Sequence, residues 1–184
     1  MTNNIRRQLT LFVSPKEAET IEQVRQKFNP RQFELIKSHV TLCREDEIKN
    51  LDQIIINLSL LKQTELVIEF GKVARFDNGN GVLLPATTGS AEFQKLRKQV
   101  LVGLIDYPRK QEPHITLMHP RNSTCTDNLF KQIEQISLPT KIEFKRISLI
   151  EQQKGGQWLV LQEFAFKDAE RLTSKKRQPP TLCL

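Results

Sequence analysis

Two short segments decide how this chain folds: SHVTLC at residues 38–43 and PHITLM at residues 113–118. The sequence of 184 residues contains only three histidines. Two of them, His39 and His114, begin the same pattern of histidine, β-branched aliphatic residue, threonine and leucine. A β-branched residue beside alternating polar and apolar positions favours a strand. The pattern therefore predicts two similar strands, one in each half of the chain.

The alternation of side chains along a strand predicts what each copy presents. Val40 and Leu42 can enter a core, while His39, Thr41 and Cys43 share the opposite face. The second copy divides in the same way, with one face formed by His114, Thr116 and Met118 and the other by Ile115 and Leu117. Each strand is thus expected to hold an imidazole and a hydroxyl side by side on a rigid support.

The same order of elements surrounds both copies. Predicted helices cover residues 14–27, 47–61, 90–104 and 126–136. Predicted strands cover residues 6–13, 38–45, 64–76, 81–86, 112–120, 140–152 and 157–166. In each half a helix, a histidine strand, a helix and a strand hairpin follow one another. We therefore expect residues 1–184 to form one α+β domain of two pseudo-repeat lobes around a central cleft.

Composition limits the class of partner. Lys and Arg number 28 against 21 Asp and Glu, which gives a net charge of +7 and favours an anionic ligand such as RNA or a nucleotide. Part of this excess lies in a basic tail at residues 167–184. No segment is long and apolar enough to span a bilayer, and no targeting signal precedes the first strand, so we expect a cytoplasmic protein. The spacing of Cys43, Cys125 and Cys183 predicts neither disulfides nor a zinc site.

Two imidazoles across one pocket suit phosphodiester cleavage. One group must accept a proton from the attacking oxygen and another must donate one to the leaving oxygen, and histidine can fill either role near neutral pH. The hydroxyls of Thr41 and Thr116 can bind the non-bridging oxygens, where negative charge develops. This chemistry requires neither a metal nor a cofactor.

The phrases HVTL (39–42) and HITL (114–117) resemble the paired motifs of the two-histidine phosphoesterase superfamily, in particular its 2′-5′ RNA ligase-like and RNA 2′,3′-cyclic phosphodiesterase group. The resemblance implies a bilobal pseudo-two-fold fold, each lobe an antiparallel sheet with outer helices. It implies that His39 and His114 are catalytic and that Thr41 and Thr116 bind phosphate. It also implies hydrolysis of a 2′,3′-cyclic phosphate to a 2′-phosphate, with His39 protonating the leaving oxygen and His114 activating water.

Several substrates and roles stay open. CREDE (43–47) and Met118-His119-Pro120-Arg121 follow the two motifs where relatives often have other phrases. We expect a monomer acting on RNA with a cyclic phosphate end or on a small nucleotide. The alternatives are a 2′-5′ RNA ligase, a 2′-5′ oligoadenylate phosphodiesterase, and a non-catalytic nucleotide-binding or RNA-binding module.

Other residues are weaker candidates for substrate binding. Arg44 and Arg121 each follow a histidine strand and can meet a phosphate. Trp158 can stack on a base, as can Tyr107 and Phe76. Arg7, Arg109 and Lys110 are candidates for the cleft mouth. His119 is interpreted as a loop residue, with an accessory phosphate ligand as the alternative.

Overall fold

A computed structural model describes residues 5–167. Its strands are β1 Ile5–Phe12, β2 His39–Cys43, β3 Leu66–Glu69, β4 Ala74–Arg75, β5 Val82–Pro85, β6 His114–Met118, β7 Lys141–Phe144, β8 Arg146–Gln153 and β9 Trp158–Ala165. Its helices are α1 Pro15–Phe28, α2 Pro30–Leu35, α3 Leu51–Ser59, α4 Ser90–Val100 and α5 Asp127–Glu134. The basic tail predicted beyond Lys167, and Cys183 within it, lie outside the described residues.

Local sequence explains where the helices begin. The Ser14 hydroxyl caps α1 by accepting a hydrogen bond from the backbone N–H of Glu17 at 3.4 Å, and Pro15 occupies the first turn. Helix α4 begins at Ser90, and Gly89 is its capping residue with a φ of 81°. The loop expected after Asn29 is instead the short helix α2, because Pro30 begins a new helix as readily as it ends the old one.

Most strands form one antiparallel sheet. Seven strands follow the order β4-β5-β6-β2-β1-β8-β9, and a separate pair joins β3 to β7. The predicted α+β class with antiparallel strands and helices is confirmed. The expected division into one sheet per lobe is wrong, because the histidine strands β2 and β6 are hydrogen-bonded neighbours, with Val40 opposite Ile115. A continuous sheet thus joins the two halves.

Two long predicted strands are each divided between the two sheets. Residues 64–76 form β3 and β4, which are separated by residues 70–73. Residues 140–152 form β7 and most of β8, which are separated by Lys145. In both halves the first piece enters the two-stranded sheet and the second enters the large sheet. Both halves of the chain thus divide a long strand in the same way, as expected for a structural repeat.

The core lies under the histidine strands. Val40, Leu42, Ile115 and Leu117 are completely buried. Helix α1 precedes β2 in the chain but packs against β6, and helix α4 precedes β6 but packs against β2. Each half of the chain therefore supports the histidine strand of the other half. Between residues 5 and 167, no helix has the length and apolar character needed to cross a membrane.

Candidate active site

The pairing of β2 with β6 brings the four motif side chains together. In an antiparallel pair, residues opposite each other share a face of the sheet. With Val40 opposite Ile115, His39 lies across from Thr116 and Thr41 lies across from His114. The two histidines then occupy one diagonal of a square and the two threonines the other. By strand geometry the diagonal spans about 7–8 Å between backbones.

A β-bulge follows each threonine and corrects one expectation. Between β1 and β2 the register passes from Thr10 opposite Thr41 to Leu9 opposite Cys43, so Leu42 is the extra residue. Leu117 is the extra residue on β6, between Thr116 and Met118. An extra residue reverses the alternation beyond it. Cys43 and Met118 therefore lie buried in the core instead of sharing the histidine face.

Both histidines have the same fixed tautomer. The Nδ1 atom of His39 lies 2.7 Å from the carbonyl oxygen of Lys37, and that of His114 lies 3.0 Å from the carbonyl oxygen of Glu112. A carbonyl oxygen only accepts hydrogen bonds, so each Nδ1 carries the proton and donates it. Each neutral ring therefore keeps a free lone pair on Nε2, as a general base requires.

An aromatic ring packs against each histidine. The Phe12 ring meets the His39 ring edge to face at 6.0 Å between centroids, and the Phe76 ring meets the His114 ring at 5.6 Å. These contacts restrict the rotation of both imidazoles. Phe76, a sequence candidate for stacking on a base, thus contacts a histidine directly.

Burial shifts the titration of both imidazoles. It lowers the pKa of His39 from 6.5 to about 4, against the opposing effect of the Lys37 carbonyl; the positive charge of Arg25 also favours the neutral ring. Burial also lowers the pKa of His114, and the Arg44 guanidinium acts in the same direction. Both rings favour the neutral form at pH 7 in the unliganded protein.

A buried arginine holds the segment that leads into β2. Arg25 of α1 is 1% exposed and donates to the carbonyl oxygen of Ile36 at 2.7 Å. It also pairs with Glu22 at 2.6 Å, and Glu22 accepts the backbone N–H of Ser38 at 2.5 Å. This network fixes the backbone on both sides of Lys37, whose carbonyl orients the His39 ring.

A second buried arginine performs the corresponding task before β6. Arg97 of α4 is completely buried, pairs with Glu47 at 2.7 Å and donates to the carbonyl oxygen of Leu42. It also donates to the side chain of Gln111, and Gln111 donates to the carbonyl oxygen of Thr41 at 2.7 Å. This network ties the end of β2 to the segment that leads into His114. Sequence reasoning assigned no role to either arginine, because a lone arginine on a helix gives no local sign of burial.

A cleft of about 1030 Å³ opens over the four motif side chains. Seven predicted site residues line it: His39, Thr41, Arg44, His114, Thr116, Arg121 and Trp158. His119, Arg109, Lys110 and Phe76 line it as well. Arg7 is not part of the lining and pairs with Glu151 at 2.8 Å. Tyr107 is 93% exposed and also lies outside the lining.

Sequence reasoning missed several cleft residues. Arg6 lies over the Trp158 ring at 5.5 Å and donates to Gln152, and both of these residues also line the cleft. Arg75 lines the opposite part and binds the Cys125 carbonyl oxygen at 2.7 Å. Arg6 precedes the candidate Arg7 on β1, and neighbouring residues of a strand face opposite sides of the sheet. The sequence does not show which side of β1 faces the cleft, so it could not distinguish the two arginines.

Most cleft cations are already paired. Arg6, Arg75, Arg109 and Lys110 form ion pairs with Glu45, Asp127, Asp46 and Glu112, respectively. Arg44 and Arg121 make no ion pair with any residue between 5 and 167. These two guanidinium groups are therefore the cleft charges most available to an anionic ligand within the described chain.

Comparison with known proteins identifies a family and a shared fold. The family model of the 2′-5′ RNA ligase superfamily matches residues 12–156. Among solved structures, Escherichia coli LigT complexed with phosphate has a TM-score of 0.63 at 15% identity, with 91% of this chain and 100% of that chain covered. A structure described as a phosphoesterase has a TM-score of 0.59 at 13% identity, with 89% and 99% covered. Comparison with curated proteins gave no significant match.

The fold and the paired motifs together define a member of the two-histidine phosphoesterase superfamily. The chain belongs to the 2′-5′ RNA ligase superfamily. The resemblance stated from the HVTL and HITL phrases is therefore confirmed, and the solved structures agree with it at the level of the fold.

Proposed function

We propose that this protein hydrolyses the 2′,3′-cyclic phosphate of an RNA end or a nucleotide to a 2′-phosphate, without a metal, by acid–base catalysis with His39 and His114. The observation that supports the proposal most is the register of β2 against β6, from which two histidines and two threonines share one face. LigT, similar in fold, has been crystallised with phosphate and with 3′-AMP, ligands of the class this proposal requires.

In this mechanism the cyclic phosphate lies between the two imidazoles. The Nε2 atom of one histidine accepts a proton from water, whose oxygen forms a bond to phosphorus. The bond between phosphorus and O3′ breaks, and the protonated second histidine donates its Nε2 proton to that oxygen. The hydroxyls of Thr41 and Thr116 donate hydrogen bonds to the non-bridging oxygens as their charge increases. One water is consumed and the proton balance between the two rings is restored through solvent.

Burial lowers the pKa of both imidazoles, and the large shift at His39 leads us to propose His39 as the base and His114 as the acid, the reverse of the roles that the resemblance implied. A pKa of about 4 keeps the His39 ring neutral and able to accept a proton at pH 7. The negative charge of a bound phosphate diester raises the pKa of a neighbouring imidazole, and His114 is the ring whose protonation this charge can support.

The first experiment measures turnover of a 2′,3′-cyclic nucleotide in EDTA, with the product identified by phosphorus NMR. Loss of a general acid or base is expected to reduce kcat about 100-fold or more in His39→Ala and in His114→Ala. Lys98→Ala, which removes an exposed charge outside the cleft, serves as the control and should keep full activity. Full activity in both histidine variants would refute the proposal, and loss of wild-type activity in EDTA would refute metal independence.

A second substrate tests which histidine is the general acid and which is the general base. A phosphodiester with a p-nitrophenolate leaving group needs little protonation, so it depends less on the acid than on the base. His114→Ala should therefore lose less activity on that substrate than His39→Ala does. The opposite order would return the acid role to His39.

Reversible 2′-5′ RNA ligation is the second candidate, because the family model carries that name. The same groups would act in the same order: a 5′-hydroxyl oxygen attacks phosphorus in place of water, one histidine accepts its proton, and the other protonates the departing O3′. An excess of an oligonucleotide with a free 5′-hydroxyl should then yield a 2′-5′ linkage. Binding without turnover in either direction would favour a non-catalytic module. The cytoplasmic location and the monomeric state remain predictions from the sequence.

A further inference from the structure

The third histidine of the described chain has the opposite tautomer to the other two. Strand β6 ends at Met118, and His119 turns into the cleft. The Nδ1 atom of His119 accepts a hydrogen bond from the backbone N–H of Arg121 at 3.1 Å. The proton of the neutral ring must therefore lie on Nε2, which makes His119 a hydrogen-bond donor where His39 and His114 present acceptors.

The loop that carries His119 is fixed from below by a buried asparagine. Asn29, between α1 and α2, is 2% exposed, and its Oδ1 accepts the backbone N–H of His119 at 3.0 Å. Its Nδ2 donates to the carbonyl oxygen and to the side-chain oxygen of Asn122 at 3.3 and 3.2 Å. The Ser123 hydroxyl closes the loop by donating to the carbonyl oxygen of His119 at 2.7 Å. A loop held by this many bonds presents its side chain in one position.

Two arginines share the cleft with this donor. Arg121, Arg6 and His114 line the same cleft as His119, and the charges of the two guanidinium groups act on its ring. Burial and these charges lower the pKa of His119, so the ring stays neutral and keeps a single proton on Nε2. A fixed N–H donor that shares the cleft with two guanidinium groups and with His114 is suited to bind a second anionic group of the substrate.

We propose that His119, Arg6 and Arg121 form a second anion subsite, which binds the phosphate on the 5′ side of the nucleotide that carries the cyclic phosphate. The inference rests on the proposed function for the reaction, but it adds a substrate preference. Nucleotides with a 5′-phosphate, and RNA ends of two or more nucleotides, are better substrates than a cyclic nucleotide whose 5′ position is a free hydroxyl.

The test compares three substrates: adenosine 2′,3′-cyclic phosphate, the same compound with a 5′-phosphate, and the dinucleotide ApA with a 2′,3′-cyclic phosphate. Wild-type kcat/KM should be about tenfold higher for each of the latter two, as expected for a charge-assisted hydrogen bond. His119→Ala should reduce this ratio to about one. His119→Gln, whose amide N–H can replace the Nε2 donor, should retain part of it.

The ratio separates substrate binding from a structural role. Misplacement of the active site by a damaged loop would lower kcat/KM for all three substrates equally, and that outcome would overturn the subsite. Arg121→Ala should lower the ratio as well, whereas Lys98→Ala, which removes one exposed positive charge elsewhere, should not. A preference for the dinucleotide alone, with no gain from the 5′-phosphate, would also contradict the proposal.

An equilibrium measurement distinguishes failure of the subsite from failure of the proposed reaction. Trp158 is the only tryptophan of the chain and lines the cleft, so its fluorescence reports binding without turnover. Adenosine 2′,5′-bisphosphate should bind about tenfold more tightly than adenosine 2′-phosphate, and His119→Ala should remove the difference. If this holds while no cyclic phosphate is hydrolysed, the subsite stands and the proposed reaction fails.

Discussion

At the scale of single residues, the partner of Nδ1 decides what each histidine can do. Carbonyl oxygens of Lys37 and Glu112 fix the proton on Nδ1 of His39 and His114, whereas a backbone N–H fixes it on Nε2 of His119. The first two rings present lone pairs to the cleft and the third presents a donor. Three identical side chains thus acquire two different functions from bonds to the backbone.

The motif threonines give the first prediction. Thr41→Val and Thr116→Val keep the side-chain shape but remove the hydroxyl proposed to stabilise the transition state. Each should lower kcat by about 100-fold, as loss of one such donor does, and each should leave the melting temperature nearly unchanged. Steady-state kinetics and thermal unfolding measure the two effects.

Thr10→Val is the matched control for those variants. Thr10 lies opposite Thr41 on β1, is completely buried, and its hydroxyl has no hydrogen-bond partner among residues 5–167. Removing an unsatisfied buried hydroxyl should stabilise the fold by about 1 kcal/mol without lowering kcat. A loss of activity equal to that of Thr41→Val would mean that the threonine substitutions act through packing.

The lowered histidine pKa values predict a pH dependence of stability. The folded state holds His39 neutral down to about pH 4, whereas the unfolded chain takes up a proton near pH 6.5. Between these values the unfolded state binds more protons, so the free energy of unfolding decreases as the pH falls. His39→Gln should show a shallower decrease in urea denaturation at pH 7 and pH 5. Equal decreases in the two proteins would show that His39 titrates normally in the folded state.

At the scale of elements, the bulges and the buried arginines shape the histidine strands. The bulges at Leu42 and Leu117 return Cys43 and Met118 to the core immediately after the histidine–threonine pattern. Burial raises the pKa of Cys43 to about 12, which makes this thiol unreactive. Arg25 and Arg97 then fix the backbone that approaches each strand.

The Arg97–Glu47 pair gives the prediction at this scale. Glu47→Leu leaves a buried guanidinium without its carboxylate and should cost about 3–5 kcal/mol of unfolding free energy. In the double variant Glu47→Leu/Arg97→Met the destabilisation should be smaller than the sum of the two single effects, because no unpaired charge remains. Urea denaturation of the four proteins measures the coupling.

The exposed pair Arg146–Glu163 provides a comparison. Its side chains are 57% and 43% exposed, and Arg146→Met should cost less than about 1 kcal/mol. If Glu47→Leu cost no more than that, the buried pair would contribute little to holding the histidine strands in position.

At the scale of the whole molecule, the net charge of +7 matters less than its distribution. Four of the six cleft cations are neutralised by acids, and Arg44 and Arg121 are left without an ion pair within the described chain. An anionic substrate therefore meets positive charge mainly at the ends of the two histidine strands. Binding should depend on salt through these residues more than through the total charge.

Arg44 provides the test of that distribution. Arg44→Gln should weaken binding of a short RNA ligand and should reduce the slope of log Kd against log salt by about 0.7, the value for one phosphate contact on a single strand. Titrations of Trp158 fluorescence between low and moderate salt measure this slope. Lys98→Ala removes the same charge outside the cleft, and an equal change of slope in that variant would point to a diffuse field instead.

The sequence by itself determined the two histidine strands, the order of elements around them, the α+β class and the superfamily. These features depend on local pattern: alternation on a strand, spacing on a helix, and capping residues such as Ser14. Arg44 and Arg121 were candidates for the cleft because each follows a histidine strand, and Trp158 was a candidate because its ring can stack on a base.

Only the tertiary structure decided how the halves meet. The pairing of Val40 with Ile115 joined two expected sheets into one, and the bulges reversed the predicted faces of Cys43 and Met118. Hydrogen bonds to the backbone fixed the tautomers of the three histidines. Burial made the charges of Arg25 and Arg97 depend on the groups packed around them. Register, burial and tautomer depend on groups distant in sequence, because hydrogen bonds and desolvation act through space, and no local pattern records them.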